Sequence, residues 1–202
     1  MTKEELQEYY NDLYEKLNRG NPEFVLNDSR AHNSVIERFM LNSSNEIKMY
    51  CGEMSIFREG FYEHINNGYG KGNDNDGGLL GDFLKQRLCE SLSEFIAKPL
   101  SNLSIFLERY DSSFVKDLIC PTLFDDGIKR KKICVYKLKD NLFLKNGVTH
   151  TSFTDRNIIR IERDPITHEA ICAINSPFNI VENVKSMFDS IQKVSEEIKL
   201  FS

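Results

Sequence analysis

No stretch of the 202 residues approaches the ~18 consecutive apolar residues that a membrane-crossing helix requires. The opening MTKEELQEYY is acidic and amphipathic, unlike a secretory leader, so the chain is expected to be cytoplasmic and to make no membrane contact. No CxxC pair occurs among Cys51, Cys89, Cys120, Cys134 and Cys172, and no two Cys or His stand at zinc-ligand spacing; no metal and no other cofactor is expected. Scattered and odd in number, these cysteines predict reduced, mostly buried thiols rather than a disulfide framework. An excess of basic residues is also missing. The net charge of -5 and pI near 5.5 give no support to a broad electrostatic grip on nucleic acid and leave room for a local basic face. The one dense basic run, Lys129-Arg130-Lys131-Lys132, reads as a solvated turn before a strand. Repeats, low-complexity tails and domain linkers are absent too. With 40% hydrophobic and 28% charged residues the chain is long enough for one buried core.

What is present alternates between two periods. Thr2 to Leu17 carries Leu6, Tyr9, Tyr10, Leu13, Tyr14 and Leu17 at helical spacing, with Thr2 and Glu5 as a capping box; residues 1–20 read as a helical extension of the single α/β domain 1–202. Phe24-Val25-Leu26 is a brief extended piece. Asp28-Ser29 then cap a helix from about Arg30 to Leu41, with Val35, Ile36, Phe39 and Met40 on its apolar face. Glu46 to Gly52 reads as a buried strand whose carboxyl end, in an open α/β sheet, is where ligands bind. A short helix from Ile56 to Ile65 leads into residues 66–78, NNGYGKGNDNDGG, a flexible connector. Its glycines lack the GxGxxG spacing, and its Asn and Asp residues lack the acidic twelfth position of a calcium loop.

Leu79 to Ala97 carries Leu80, Leu84, Leu88, Leu92, Phe95 and Ile96 as a helical stripe stopped by Pro99. Strands are predicted at Leu103 to Glu108 and Lys132 to Leu138, with short helices at Ser112 to Ile119 and Pro121 to Gly127 between them. A long closing helix, Pro177 to Phe201, is capped by Ser176 and striped by Val181, Val184, Phe188, Ile191, Val194 and Ile198. Strands alternating with helices predict an α/β fold, with a mixed, mostly parallel sheet covered by helices on both faces and an antiparallel addition at the end.

That addition is Val148 to Asn175, where residues 148–154 and 157–162 alternate apolar with polar and 169–174 is nearly continuously apolar. Asp155, Arg156 and Asn157 supply the turn of a hairpin. Alternation places His150, Ser152 and Thr154 on one face with Phe153 on the other, and puts Arg160 beside Glu162 on the second strand. Arg30, His32, Glu53 and Arg58 extend this polar set into a cleft if the second helix and the first long strand end near the hairpin. Taken singly, Arg30 and His32 also read as helix-capping residues, Glu53 and Arg58 as ordinary surface, and Arg160 with Glu162 as an ion pair.

A strand ending in a small-residue turn (YCGEMS), a helix, two further strands and then a strand opening with His150 resembles one half of the phospholipase D superfamily over roughly residues 30–200. In that family an HxK pair, an Asp seven residues after the His and a later Asn build a half-site, and two half-sites meet in one chain or across a homodimer. The resemblance implies His150 as nucleophile and Asn175 as the asparagine. Ser152 stands where the lysine belongs, Asn157 occupies the position seven after the His, and Asp155 lies two residues earlier. Without the lysine the fixed cation that stabilises a transferring phosphoryl group is gone. The resemblance therefore implies a catalytically degenerate module that binds a phosphate-bearing ligand, a nucleic acid or nucleotide, or a partner protein. It would act as a homodimer or in a larger complex, a bacterial defence or signalling assembly among them. The alternative it implies is an active dimeric phosphodiesterase or nuclease using His150 from each subunit, with Asp155 in support.

Overall fold

The computed structural model describes residues 3–19, 24–27, 30–69, 80–110, 114–139, 149–164, 169–174 and 176–201. Thr2, Asp28, Ser29 and Asn175 lie outside the described residues, as do 140–148 and the greater part of the 66–78 connector. The N-terminal spacing is realised as α1 (Lys3–Asn18). Its Tyr10, Tyr14 and Leu17 sink into the main core, so the helix expected as an extension is packed into the body of the molecule.

Next come β1 (Phe24–Asn27), α2 (Arg30–Ser43) and β2 (Glu46–Cys51). A 3-10 turn at Ser55–Phe57 takes the first residues of the predicted 56–65 helix, and α3 (Glu59–Tyr69) covers the rest and continues into residues expected as loop. Then follow α4 (Leu80–Ala97), β3 (Asn102–Leu107), a 3-10 turn at Phe114–Asp117, α5 (Pro121–Lys129) and β4 (Ile133–Leu138). The polar stretch forms β5 (Thr151–Thr154), β6 (Ile159–Asp164) and β7 (Glu169–Ala173). The predicted 177–201 helix is divided: α6 (Phe178–Lys193) ends early, and β8 (Ser195–Glu197) pairs antiparallel with β4. The free edge of β4 offers backbone partners that a longer helix would have left unmet. Pro177, not Ser176, holds the N-cap position of α6, without a side-chain cap.

One sheet runs β1-β7-β6-β5-β2-β3-β4-β8. It is mixed, with helices on both faces, as expected. Its parallel part is limited to β2-β3-β4, while the other five pairings are antiparallel. The hairpin does not merely add to a parallel sheet, because β5 pairs directly with β2 and carries β6, β7 and β1 outward from it.

Alternation along the strands divides the core in two. Ile47, Met49, Leu103, Ile105 and Leu107 face α1 to α5, whereas Tyr50, Phe106, Phe153 and Ile159 face Val181, Val184, Phe188 and Ile191 of α6. A lysine joins helix to helix on the first side. The Lys98 ammonium donates to the Leu41, Asn42 and Ser44 carbonyls at 2.7, 2.9 and 2.7 Å, filling acceptors that the end of α2 leaves open.

The cysteine expectation is corrected. Cys89 on α4 and Cys120, immediately before α5, form a disulfide across a separation of 31 residues, while Cys51, Cys134 and Cys172 remain free thiols. Spacing along the chain gave no sign of it, because the two sulfurs meet only when α5 folds back against α4. Restricting the unfolded chain over such a separation stabilises the fold by roughly 3–4 kcal/mol in the chain-entropy account.

Candidate functional site

The register of three strands assembles the site. Met49 pairs with Ser152 and Tyr50 with Thr151 across β2-β5, while Ser152 pairs with Arg160 across β5-β6. Asn157, at φ 57, takes the left-handed conformation of the hairpin turn, and its N–H donates to the Thr154 carbonyl at 3.0 Å. At the other end the Glu162 N–H donates to the His150 carbonyl at 2.9 Å, which sets these two residues side by side. Ser152, Arg160 and Glu162 thus lie on the face toward α2, beside the carboxyl ends of β2 and β3.

From these elements grows a chain of buried polar contacts. His150 Nδ1–H donates to Glu162 Oε2 at 2.5 Å, and its Nε2 faces Glu108 Oε1 at 3.6 Å, an ion pair rather than a hydrogen bond. Glu108 Oε1 also accepts from the Tyr50 hydroxyl at 2.5 Å. On the far side Arg160 Nη2 stands 3.7 Å from Glu162 Oε1, and Arg160 Nε donates to Asn33 Oδ1 at 2.7 Å. The Ser152 hydroxyl donates to Glu37 Oε1 at 3.0 Å. Glu37, Glu108, Ser152, Arg160 and Glu162 are all buried, whereas the His150 side chain keeps 26% of its surface exposed. Gly52 makes room for the imidazole: a Cβ there would lie 3.2 Å from His150 Cε1 and 3.3 Å from Nε2.

Burial alone would lower the His150 pKa, but hydrogen bonding and the charges of Glu108 and Glu162 outweigh it and raise the value to about 9. Burial likewise pushes Glu108 upward, and His150 together with the Tyr50 hydroxyl reverses this, leaving the carboxyl below its ordinary value. Glu37 is the opposite case. Its complete burial raises its pKa despite Arg160 and Ser152. Burial also lifts the Cys51 thiol to about 12, so it stays protonated.

Between α2, the carboxyl end of β2 and the hairpin lies a cavity of about 50 Å³. Glu37, Asn33, Ser152, Arg160, Glu162 and His150 give its polar wall, and Met49, Met54, Ile56 and Phe61 its apolar one. Met54 lines it with a left-handed backbone, φ 53, an uncommon state for a buried non-glycine residue. The volume admits a few water molecules or a group of a few heavy atoms.

Several predicted site residues stand elsewhere. Asp155 lies at the opposite end of β5 from His150, where its Oδ1 accepts from the Asn45 and Glu46 N–H groups at 3.0 and 3.2 Å and anchors the start of β2. Turn chemistry and tertiary capping both placed it there. Arg58 pairs with Glu53 at 3.3 Å and with Asp117 at 2.9 Å, outside the cavity. Arg30 lies over the Phe61 ring at 6.0 Å, and His32 Nε2 meets the Tyr9 hydroxyl at 3.1 Å; neither lines the cavity. Asn175 lies outside the described residues.

Sequence reasoning missed Asn33, Glu37, Glu108, Tyr50 and the fit of Gly52. Two signals were there to be read: Asn33 and Glu37 recur at i, i+4 within a helix otherwise buried on that side, and Glu108 closes the apolar run LSIFL with a charge. Among the described residues no group of three or more His, Cys, Asp or Glu is placed to hold a metal ion, and no helix is long and apolar enough to cross a membrane.

No protein-family model and no curated protein matches the chain. Among solved structures it is similar in fold to TrmBL2, an archaeal chromatin protein described as showing a novel mode of DNA binding, with a TM-score of 0.55 and 14% identity over 96% of this chain. The chain spans 61% of TrmBL2's length. A looser likeness is to Nuc from Salmonella typhimurium, a phospholipase D family member, with a TM-score of 0.49 and 8% identity, covering 88% of this chain and 99% of Nuc. The likeness to TrmBL2 is one of fold.

Proposed function

We propose that the chain is a non-hydrolysing binding module whose cavity beside His150 receives a small cationic group, a primary amine carried by a ligand or a partner. The carrying observation is the double pairing of His150 with Glu162 at 2.5 Å and Glu108 at 3.6 Å. With its pKa at about 9 the ring is protonated at neutral pH, so neither nitrogen offers a lone pair for attack on phosphorus. Ser152 stands where the family's lysine would, and its hydroxyl is engaged by Glu37.

The same pairing turns the ligand reading away from phosphate. Arg160 and His150 already face carboxylates, so among the described residues lining the cavity an incoming phosphate dianion meets no uncommitted cation and adds charge beside Glu162. A cation suits the cavity better, because it would favour the ionised form of Glu37, against which burial works, with its carbon stem against Met49, Met54, Ile56 and Phe61. A DNA-binding role, the property by which TrmBL2 is described, finds little support in a net charge of -5. Lys129 and Arg130 of the basic run are, moreover, paired with Asp125 and Asp126 at 2.5 and 3.1 Å.

One feature favours the alternative of a phosphodiesterase assembled from two copies: a carboxylate on Nδ1 is the arrangement that orients a reacting imidazole. The purified chain and His150→Ala are incubated with bis(p-nitrophenyl) phosphate, single-stranded DNA and RNA, and thermal unfolding is followed with methylamine, ethylene glycol and inorganic phosphate. No turnover and stabilisation by methylamine, lost in Glu37→Gln, is expected. Turnover abolished by His150→Ala, or stabilisation by phosphate alone, overturns the reading.

A further inference from the structure

The Cys89–Cys120 disulfide lies outside the polar network, yet a short run of contacts connects it to the cavity wall. Cys120 follows directly on Leu118 and Ile119, and these two residues are stitched to the turn after β2. Leu118 forms a β-bridge with Arg58, and the Ile119 N–H donates to the Phe57 carbonyl at 3.0 Å. One residue earlier, Asp117 pairs with Arg58 at 2.9 Å. From the other side of Cys120, Phe124 sets its ring edge-to-face against Phe57 at 5.1 Å. Phe57 and Arg58 in turn close the 3-10 turn, donating to the Met54 and Ser55 carbonyls at 3.0 and 2.9 Å. Met54, Ser55 and Ile56 line the cavity. The left-handed backbone at Met54 is a conformation that a non-glycine residue keeps only while its surroundings enforce it.

We propose that Cys89–Cys120 is a thiol-exchange site and that its redox state sets how firmly the 54–58 wall of the cavity is held. Cys89 is the more exposed residue of the two, half-buried on α4, whereas Cys120 is 6% exposed. A thiolate of a dithiol reductant attacks Cys89 Sγ, forming a mixed disulfide and releasing Cys120 as a thiolate that takes up a proton. The second thiol of the reductant then displaces Cys89, which is protonated in turn. Two electrons and two protons pass to the protein, and the reductant leaves as a cyclic disulfide. Residues 117–119 then lose their covalent tie to α4 and hold the 54–58 turn less firmly. Coupling of this kind needs no change elsewhere in the sheet, only a local opening at lower cost. It stands whether or not the cavity takes an amine.

Two free thiols make the test internal to the protein. Cys51 lines the cavity beside the strapped turn, while Cys134 lies on β4 with no part in it. The full chain is alkylated with iodoacetamide as purified and again after treatment with dithiothreitol and desalting, and each cysteine's labelling rate is read by mass spectrometry. The double variant Cys89→Ser/Cys120→Ser is labelled in parallel, with circular dichroism to check its fold. In the untreated protein Cys89 and Cys120 are expected to resist labelling. Breaking the disulfide by either route is expected to raise the Cys51 rate about fivefold or more with Cys134 unchanged, and reoxidation to restore the slow rate. Labelling of Cys89 and Cys120 without reductant, an unchanged Cys51 rate, a parallel rise at Cys51, Cys134 and Cys172, or a fast Cys51 rate that persists after reoxidation each overturns the proposal. Reduction of the natural chain decides the matter even where the double variant does not fold.

Discussion

On the α6 side of the sheet Tyr50, Phe106, Phe153 and Ile159 meet Val181, Val184, Phe188 and Ile191. On the α2 side, from neighbouring positions of the same strands, Ser152, Arg160 and Glu162 meet Asn33 and Glu37. The first arrangement is what burial of apolar area favours without further conditions. The second requires each charge to find its partner, and a buried ion pair is often no more stabilising than apolar residues of the same volume. A sheet able to close one face with aromatic and aliphatic side chains had no need of charges on the other for its stability. Their presence around a cavity is what argues for a binding role.

The largest effect comes from opening a void on the apolar side. Phe188→Ala is expected to cost about 3–5 kcal/mol in urea unfolding through the cavity it leaves, with methylamine binding retained in the fraction still folded. On the polar side Arg160→Met leaves the buried Glu37 facing no cation and takes from Glu162 one of its two, His150 being kept, and a loss of about 3 kcal/mol is expected. Adding Glu37→Leu to Arg160→Met recovers most of that stability while abolishing any response to methylamine. A double variant as unstable as Arg160→Met alone would mean that the charges serve the fold.

A pH series sharpens the contrast further. The raised His150 pKa, about 9 against an ordinary 6.5, gives a contribution complete below about pH 6.5 and lost as pH rises through 9, on the order of 3 kcal/mol. Glu108, held below its ordinary value of 4.5, gives the same network its acid limit: the contribution is present above that pH and lost as pH falls through the lower folded value. Unfolding measured from pH 6 to 8.5, below the range in which the buried Cys51 thiol adds an alkaline loss of its own, is expected to show the decline in the natural chain and a much flatter profile in His150→Ala. The smallest effect belongs to helix capping. Lys98→Met removes the donor to three carbonyls at the end of α2, and about 1–2 kcal/mol is expected in thermal unfolding, with neither face of the sheet otherwise altered.

Local pattern located the elements that mattered most. The change of period after residue 148 gave the β5-β6 hairpin, and turn chemistry gave Asn157 its left-handed conformation. Alternation set Phe153 apart from Ser152. What misled the reading was also local: the apolar stripe of α6 continues in register through Val194 and Ile198, yet the chain leaves the helix to pair with the edge of β4. Asp155 sat close to His150 in sequence, but a strand of four residues separates them in space.

By itself the sequence determined the alternation of helices and strands, the hairpin, the common face of His150 and Ser152 and that of Arg160 and Glu162, because each follows from backbone period and turn preference over a few residues. Only the tertiary structure decided that Glu37 and Glu108 join them, that the parallel part of the sheet stops at three strands, and that Cys89 meets Cys120. Those contacts join residues tens of positions apart. A buried carboxylate finds its partner through the packing of whole elements, which no short stretch of residues specifies.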